Sequence, residues 1–426
     1  MNLPPTSKAF LWLVLGILSA GSMAFYVSQI WSANQPPQFN DFYAPWWAAH
    51  ELLLHGRNPY SPALAHEIQT VIYGAPAIAI SPNDPASIAG GFAYPPYAAI
   101  LLGPTVYLPF STAHSVFLAV SVLVTILSLS LWLRSLRFRF SIVPWLTVAL
   151  FMLGSFPALQ GIKLGNLSVI AAALITVALF FLSGNHFVPA GIFLALSTFK
   201  PQFVVVLIVW LAVWTGNDWP RRRSLAWSFL VTMLLLVLVS EWLVPGWVHQ
   251  FLNVVRAYRQ YTYGHSLLDV WFTQGWGWII AAGLLLAALV MGWQHRLQPA
   301  NSTRFFLVTS LMLAVTLIVI PTLAPHAQLL LLPGFLCVLR EQESLCKGRT
   351  KLVAAGAWAL LAWPWIAAFG LLLASARVPV ATLLRFWALP LYTSALLPLA
   401  VSLALGCLLG DVPDSAHQGR PFLLDN

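Results

Sequence analysis

Charge is what this sequence has least of. Asp, Glu, Lys and Arg make up 8% of its 426 residues, where soluble globular domains carry roughly 25%. So few charges cannot solvate the surface of a water-soluble protein of this length, and 59% of the residues are hydrophobic. The mean hydropathy of +0.81 points the same way. Cysteine is also sparse. Cys337, Cys346 and Cys407 lie in or beside apolar runs, with neither metal-ligand spacing nor a disulfide framework. No P-loop, dinucleotide fingerprint or zinc spacing is present, and no pair of close carboxylates suggests a Mg²⁺ site. A reaction driven by a soluble nucleotide sugar therefore has no visible binding platform, and no cofactor is expected. Neither an internal repeat nor a low-complexity segment is evident.

What is there is apolar runs. A membrane-spanning helix needs about 20 mainly apolar residues. Runs of that kind lie at 9–31, 92–110, 113–134, 141–160, 165–183, 187–214, 225–244, 276–294, 304–321, 327–340, 351–374 and 384–409. They predict an all-α polytopic membrane protein with about twelve spans, as one membrane domain over 1–410 followed by a polar tail over 411–426. The second and tenth runs are short and broken by proline. The N-terminal run reads as an uncleaved first helix rather than a signal peptide.

The net charge of +9 arises from short basic loops, Arg221–Arg223 and Arg340 to Lys351 among them. That is the pattern of topology-setting cytoplasmic loops rather than of nucleic-acid binding. With the N-terminus inside, strict alternation puts three basic loops in the cytoplasm but leaves Arg134, Arg137 and Arg139 outside, a conflict with the rule. Two long non-cytoplasmic segments result, 32–91 and 245–275. Segments of that length are uncommon unless functional. Within the first, Phe42 to Leu54 reads as a helix lying in the membrane interface, anchored by Trp46 and Trp47 and stopped by Gly56.

Ionisable residues inside or at the edge of a bilayer are costly and mark functional paths. Here they are Asp41, Lys163, Lys200, Asp269 and His326, with Gln160, Gln202 and Gln328 beside some of them. Asp41 could act as a general base toward a hydroxyl or as the N-cap of the interfacial helix. Lys200, well inside the sixth run, sits with Gln202 at the Pro201 break, where an anion such as a phosphate would offset the cost of burying an ammonium. His326, between Pro325 and Gln328, could hold a phosphate oxygen or move a proton. Arg256 and Arg259 could grip a phosphate or form a solvated face. Tyr94-Pro95-Pro96 reads as a rigid helix start, and Gly165-Asn166-Leu167-Ser168 as a turn and cap.

These segments, in this order, resemble the multi-spanning mannosyltransferases of glycosyltransferase family 87, within the glycosyltransferase C superfamily. The resemblance is carried by Asp41-Phe42-Tyr43, Ala48-Ala49, Leu52-Leu53, Gly56 and Pro59-Tyr60, then by Tyr94-Pro95-Pro96. Lys200-Pro201-Gln202 after a Gly191-containing helix start, and Pro325-His326 before a leucine run and Pro333, complete it over most of 40–335. Where the family usually has Gly-Gln-x-Asn, this chain has Gly165-Asn166-Leu167-Ser168.

The resemblance implies a glycosyltransferase C-type fold in the cell membrane and an active site on the non-cytoplasmic side. It implies a polyprenyl-phosphate-linked sugar donor, usually mannose, a lipid or glycan acceptor, inversion at the sugar, and no nucleotide. Asp41 would be the base and His326 would help hold the donor phosphate, with Lys200, Gln202, Arg256 and Arg259 as further phosphate ligands. Tyr43, Tyr60, Tyr94, Asn166 and Gln328 would meet the substrates. The rival reading is a transporter or flippase of a lipid-linked saccharide, against which stands the lack of an inverted repeat.

Overall fold

The computed structural model describes residues 40–75, 91–261, 266–272, 274–320, 324–345, 351–379 and 396–411, with a few isolated positions besides. The expected first span, 9–31, lies mostly outside the described residues, as do 384–395 and nearly all of the 411–426 tail.

The described chain is a helical bundle. Helices α1 (Tyr43–His55) and α2 (Pro62–Tyr73) come first, followed by the short α3 (Tyr97–Leu102). Then follow α4 (Phe110–Ser135), α5 (Ile142–Leu153), α6 (Phe156–Lys163) and α7 (Ser168–Ser183). Next are α8 (Phe187–Leu196), α9 (Pro201–Asn217), α10 (Trp219–Leu243) and α11 (Trp247–Tyr261). The later helices are α12 (Leu267–Trp271), α13 (Gln274–Gln294), α14 (Thr303–Val319), α15 (Leu332–Arg340), α16 (Gln342–Leu345), α17 (Lys351–Ser375) and α18 (Leu397–Asp411). A 3₁₀ segment, Pro325–Leu331, leads into α15.

Local chemistry sets many of these boundaries. Ser61, Ser155 and Ser302 cap α2, α6 and α14 by accepting from the backbone N–H of Leu64, Ala158 and Phe305. Inside the apolar helices the hydroxyls of Thr125, Thr176, Thr309 and Thr316 each donate to the carbonyl four residues back, which satisfies these donors within their own helix. α14 is buried continuously from Phe305 to Ile318 and forms the axis of the bundle, while α10 turns most of its apolar side chains outward. Outward apolar faces of this extent suit a lipid solvent.

Among the described residues three helices, Phe110–Ser135, Trp219–Leu243 and Gly275–Gln294, are long and apolar enough to cross a membrane, and α5 with α6 forms a fourth candidate bent by 61°. Several expected spans are reorganised. The run at 92–110 is no span, because Pro95, Pro96, Gly103, Pro104 and Pro109 leave room only for the six residues of α3. The run at 187–214 is two helices, α8 and α9, joined at Lys200, so this lysine stands at a turn and not in mid-span. The segment 245–275 carries α11 and α12. Asp269 is occupied in a capping box with Ser266 at the start of α12.

The basic loops meet at one end of the bundle. Arg340 donates to the carbonyl of Leu136, and Arg222 donates to the carbonyls of Trp214 and Arg296. Trp132 contacts Phe306 and Trp214 contacts Phe305, which ties these loops together. Lys200 lies at the other end of α9, a helix about 25 Å long. Arg134, Arg137 and Arg139 thus share an end with the other arginines, contrary to the expected alternation. Phe187 at the start of α8 contacts Trp214 near the end of α9, so the chain reverses at Lys200; this reversal and the loss of the 92–110 span together remove the conflict.

Candidate functional site

The end opposite the arginines holds the sparse polar groups, and two features of the chain before α1 present the first of them. Asn40 accepts from the backbone N–H of Phe42 at 2.7 Å, and Asp41 N–H donates to the Leu164 carbonyl at 2.7 Å. Phe42, fully buried, stacks on Phe117 at 4.3 Å and pins the turn. The carboxylate of Asp41 is left free of capping duty, since α1 has no side-chain cap. The N-cap reading of Asp41 is thereby overturned: Asn40 closes the turn before the helix, and no side chain caps α1.

Opposite this turn, Gly165 adopts φ +63° and lets the α6–α7 connection approach Phe42 and Asn40 closely. Asn166 follows and makes the central contacts. Its Nδ2 donates to Asp41 Oδ2 at 2.7 Å, and its Oδ1 accepts from Lys200 Nζ at 2.8 Å. Only this orientation of the amide serves both a carboxylate and an ammonium. Ser168, fully buried, accepts from Lys200 at 2.7 Å and donates to Asn166 Oδ1 at 2.6 Å. Lys200 is also flanked by the rings of Tyr94 and Phe203, at 5.6 and 5.4 Å.

His326 completes the group. The 3₁₀ segment packs against α6 so tightly that a side chain on Gly161 would meet the His326 Cβ at 3.1 Å. The imidazole lies within electrostatic reach of Lys200, and its buried Nδ1 has no hydrogen-bond partner among the described residues. Gln328 is buried in the same segment.

Asp41 is exposed, yet protein packs closely around its carboxylate. That crowding raises its pKa above the ordinary carboxylate value; the Asn166 hydrogen bond and then the Lys200 charge pull it partly back. A carboxylate that is reachable yet disfavoured as an anion is suited to take up a proton.

The structure thus brings together Asp41, Asn166, Lys200, His326 and the Tyr94 ring. Other expected site residues lie elsewhere. Tyr60 is buried and uses its hydroxyl to donate to the Tyr94 carbonyl at 2.6 Å, so it shapes the Tyr94 segment. Tyr43 packs between Trp47 and Phe110. Trp46 is buried and donates to the Thr105 carbonyl, a core position rather than an interfacial anchor. Gln202 is exposed at the start of α9. Arg256 is exposed on α11 and donates to Asn253, and Arg259 lies over Trp278 at 5.4 Å. Among the described residues neither arginine contacts the Asp41–Lys200 group. The sequence does not single out Asn40, and Ser168, there part of a turn and cap, accepts from Lys200. Their signal was the neighbouring Gly165, a residue whose left-handed backbone marks a close approach.

The sequence profile described as Glycosyltransferase family 87 matches residues 92–321, more than half of the chain. No curated protein and no solved structure matches it. The matched region takes in Tyr94, Asn166 and Lys200 and leaves Asp41 and His326 on its flanks. The chain belongs to glycosyltransferase family 87 and is a membrane glycosyltransferase.

Proposed function

We propose that this glycosyltransferase moves a sugar, mannose by family expectation, from a polyprenyl-phosphate donor to a lipid or glycan acceptor on the non-cytoplasmic face of the cell membrane. One observation carries this reading: Asp41, open to solvent or substrate on one side, is bridged through Asn166 to the buried ammonium of Lys200. A base and a cation within one polar group suit a displacement in which a proton is lost at one end and a phosphate leaves at the other.

In the proposed step the acceptor hydroxyl attacks the anomeric carbon, and the bond from that carbon to the phosphate oxygen breaks on the opposite face, which inverts the centre. The hydroxyl proton passes to the Asp41 carboxylate. The bonding electrons leave with the polyprenyl phosphate. Its charge is met by Lys200, two of whose three N–H groups are taken by Asn166 and Ser168, and by the His326 imidazole. Fixed donors aimed at a developing charge are the main resource of such a site. Asn166 acts here by positioning Asp41, rather than by binding the sugar. The gathering of Arg134, Arg222, Arg296 and Arg340 at the far end supports a non-cytoplasmic site, because such residues favour the cytoplasmic side.

The test is purified protein in lipid vesicles, supplied with polyprenyl-phosphate mannose and a lipid extract, with new glycolipid read by mass spectrometry. Asp41→Asn is expected to lower product formation by about 10²–10⁴-fold, the usual worth of a general base, with the protein still monodisperse. Full activity in that variant removes Asp41 from catalysis. Passage of intact donor across the bilayer without product would instead favour the transporter.

A further inference from the structure

We propose that His50, Glu51 and His55, in the last two turns of α1, form a binding site for one zinc-type divalent cation. The site is separate from the transfer chemistry, since α1 is about 20 Å long and begins at the Asp41 turn.

The sequence His50-Glu51-Leu52-Leu53-Leu54-His55 escapes the usual zinc pattern, because its histidines are five residues apart and do not share a helix face. Glu51 closes the gap. It lies four residues before His55, on the same face, and directly beside His50. The Nδ1 atoms of His50 and His55 approach the same oxygen, Glu51 Oε1, at 3.2 and 3.4 Å. The three ligand atoms all lie within 4.8 Å of one another. With zinc bonds of about 2.0–2.1 Å to nitrogen and oxygen, donor atoms at the corners of a tetrahedron stand about 3.3 Å apart. Two of the three edges already have that length, and only the histidine pair must close. As hydrogen bonds the same distances fall at or past the long limit.

The surroundings hold these atoms in place. Glu51 is buried and cannot swing away. Its Oε2 accepts from Arg57 at 2.8 Å, which leaves Oε1 to face the imidazoles. Arg57 would repel a cation, but Glu67 pairs with it at 2.5 Å and matches its charge. The His50 ring stacks on Trp47 at 5.0 Å, and the His55 ring is free to adjust because its side chain is 53% exposed. Gly56, in the left-handed conformation, ends the helix directly after His55. Two imidazoles and one carboxylate oxygen make a three-ligand set with an open fourth position for water or an anionic group. Bound there, the ion would clamp the end of α1 to α2 through Glu51, Arg57 and Glu67.

The experiment uses the full chain, without a polyhistidine tag, in detergent and stripped by a chelator. Zn²⁺ titrated by calorimetry should bind at one ion per chain, and Co²⁺ should give the strong visible bands of a four-coordinate nitrogen–oxygen site. Replacing the exposed ligand, His55→Ala, should weaken binding by more than about 100-fold, beyond what loss of a group that merely supports a ligand does. His50→Ala should do the same, while Glu51 is left in place because its burial makes it a folding risk. Absence of stoichiometric binding by the monodisperse wild type overturns the site, as does unchanged affinity in His55→Ala.

Discussion

Asn166 donates to Asp41 Oδ2 at 2.7 Å across 125 residues of sequence, and this bond opposes the effect of burial on the carboxylate. Burial raises the Asp41 pKa, and the Asn166 hydrogen bond, which favours the ionised form, is the larger of the two effects that lower it again.

The consequence for pH dependence has a definite sign. A general base works only when ionised, so transfer should fall as pH drops through the Asp41 pKa. Asn166→Leu removes the donor and pushes that pKa further up. The acid limb of kcat/KM should then move to higher pH, with activity partly recovered by raising the pH. A variant that loses activity equally at every pH would show that Asn166 acts on something other than the Asp41 proton.

The same shift predicts an exchange between stability and activity. Because the folded pKa is raised, the fold favours protonated Asp41. Its stabilising contribution is full below the ordinary carboxylate value of about 4 and is lost as pH rises through the raised value. At neutral pH Asp41→Asn should therefore unfold in detergent at the wild-type temperature or above it, and the difference should shrink as the pH is lowered toward about 4. A lower midpoint at neutral pH would mean that pairing with Asn166 and Lys200 outweighs burial.

Some of this was legible in the residues alone. The span of α1 was readable almost to the residue, because Gly56 and the aromatic–alanine–leucine pattern act locally. Asp41, Lys200 and His326 stood out because an ionisable group in an apolar setting is conspicuous. What could not be read was direction. Hydropathy is the same on both sides of Lys200, so one long span and two short helices look alike, and Pro201 fits a kink as well as a reversal. Asp and Asn are both good cap residues, and only the fold shows that Asn40 takes the Phe42 N–H and leaves Asp41 free. Gln202, Arg256 and Arg259 have the chemistry of phosphate ligands, but Gln202 and Arg256 are exposed and the two arginines meet Asn253 and Trp278.

The placement of the basic loops can be checked by labelling. In a chain with Cys337, Cys346 and Cys407 replaced by serine, single cysteines at Arg256→Cys and Arg134→Cys report the two ends of the bundle. In sealed right-side-out vesicles a membrane-impermeant maleimide should label the first, and the second only after permeabilisation. Labelling of both from the same side would break the two-ended arrangement and, with it, the assignment of Asp41 to the non-cytoplasmic face.

A pair of glycines separates backbone strain from close approach. Gly56 and Gly165 have nearly the same conformation, φ +65° and +63°, so alanine at either should pay the left-handed penalty, about 1–2 kcal/mol. Their surroundings differ. A Cβ at Gly56 meets nothing within 4 Å, whereas one at Gly165 falls 2.8 Å from the Phe42 Cβ and 3.0 Å from Asn40 Oδ1. Phe42 is fully buried among Phe110 and Phe117 and has little room to yield. Gly165→Ala should therefore displace the turn that carries Asp41. Misplacing a reacting group by about 1 Å can cost around 100-fold in rate, so kcat should fall on that scale while Gly56→Ala keeps near-normal turnover. The thermal midpoint of Gly165→Ala should also lie below that of Gly56→Ala. Equal turnover in the two variants would show that the contact between the Gly165 and Asp41 turns does not set the position of the base.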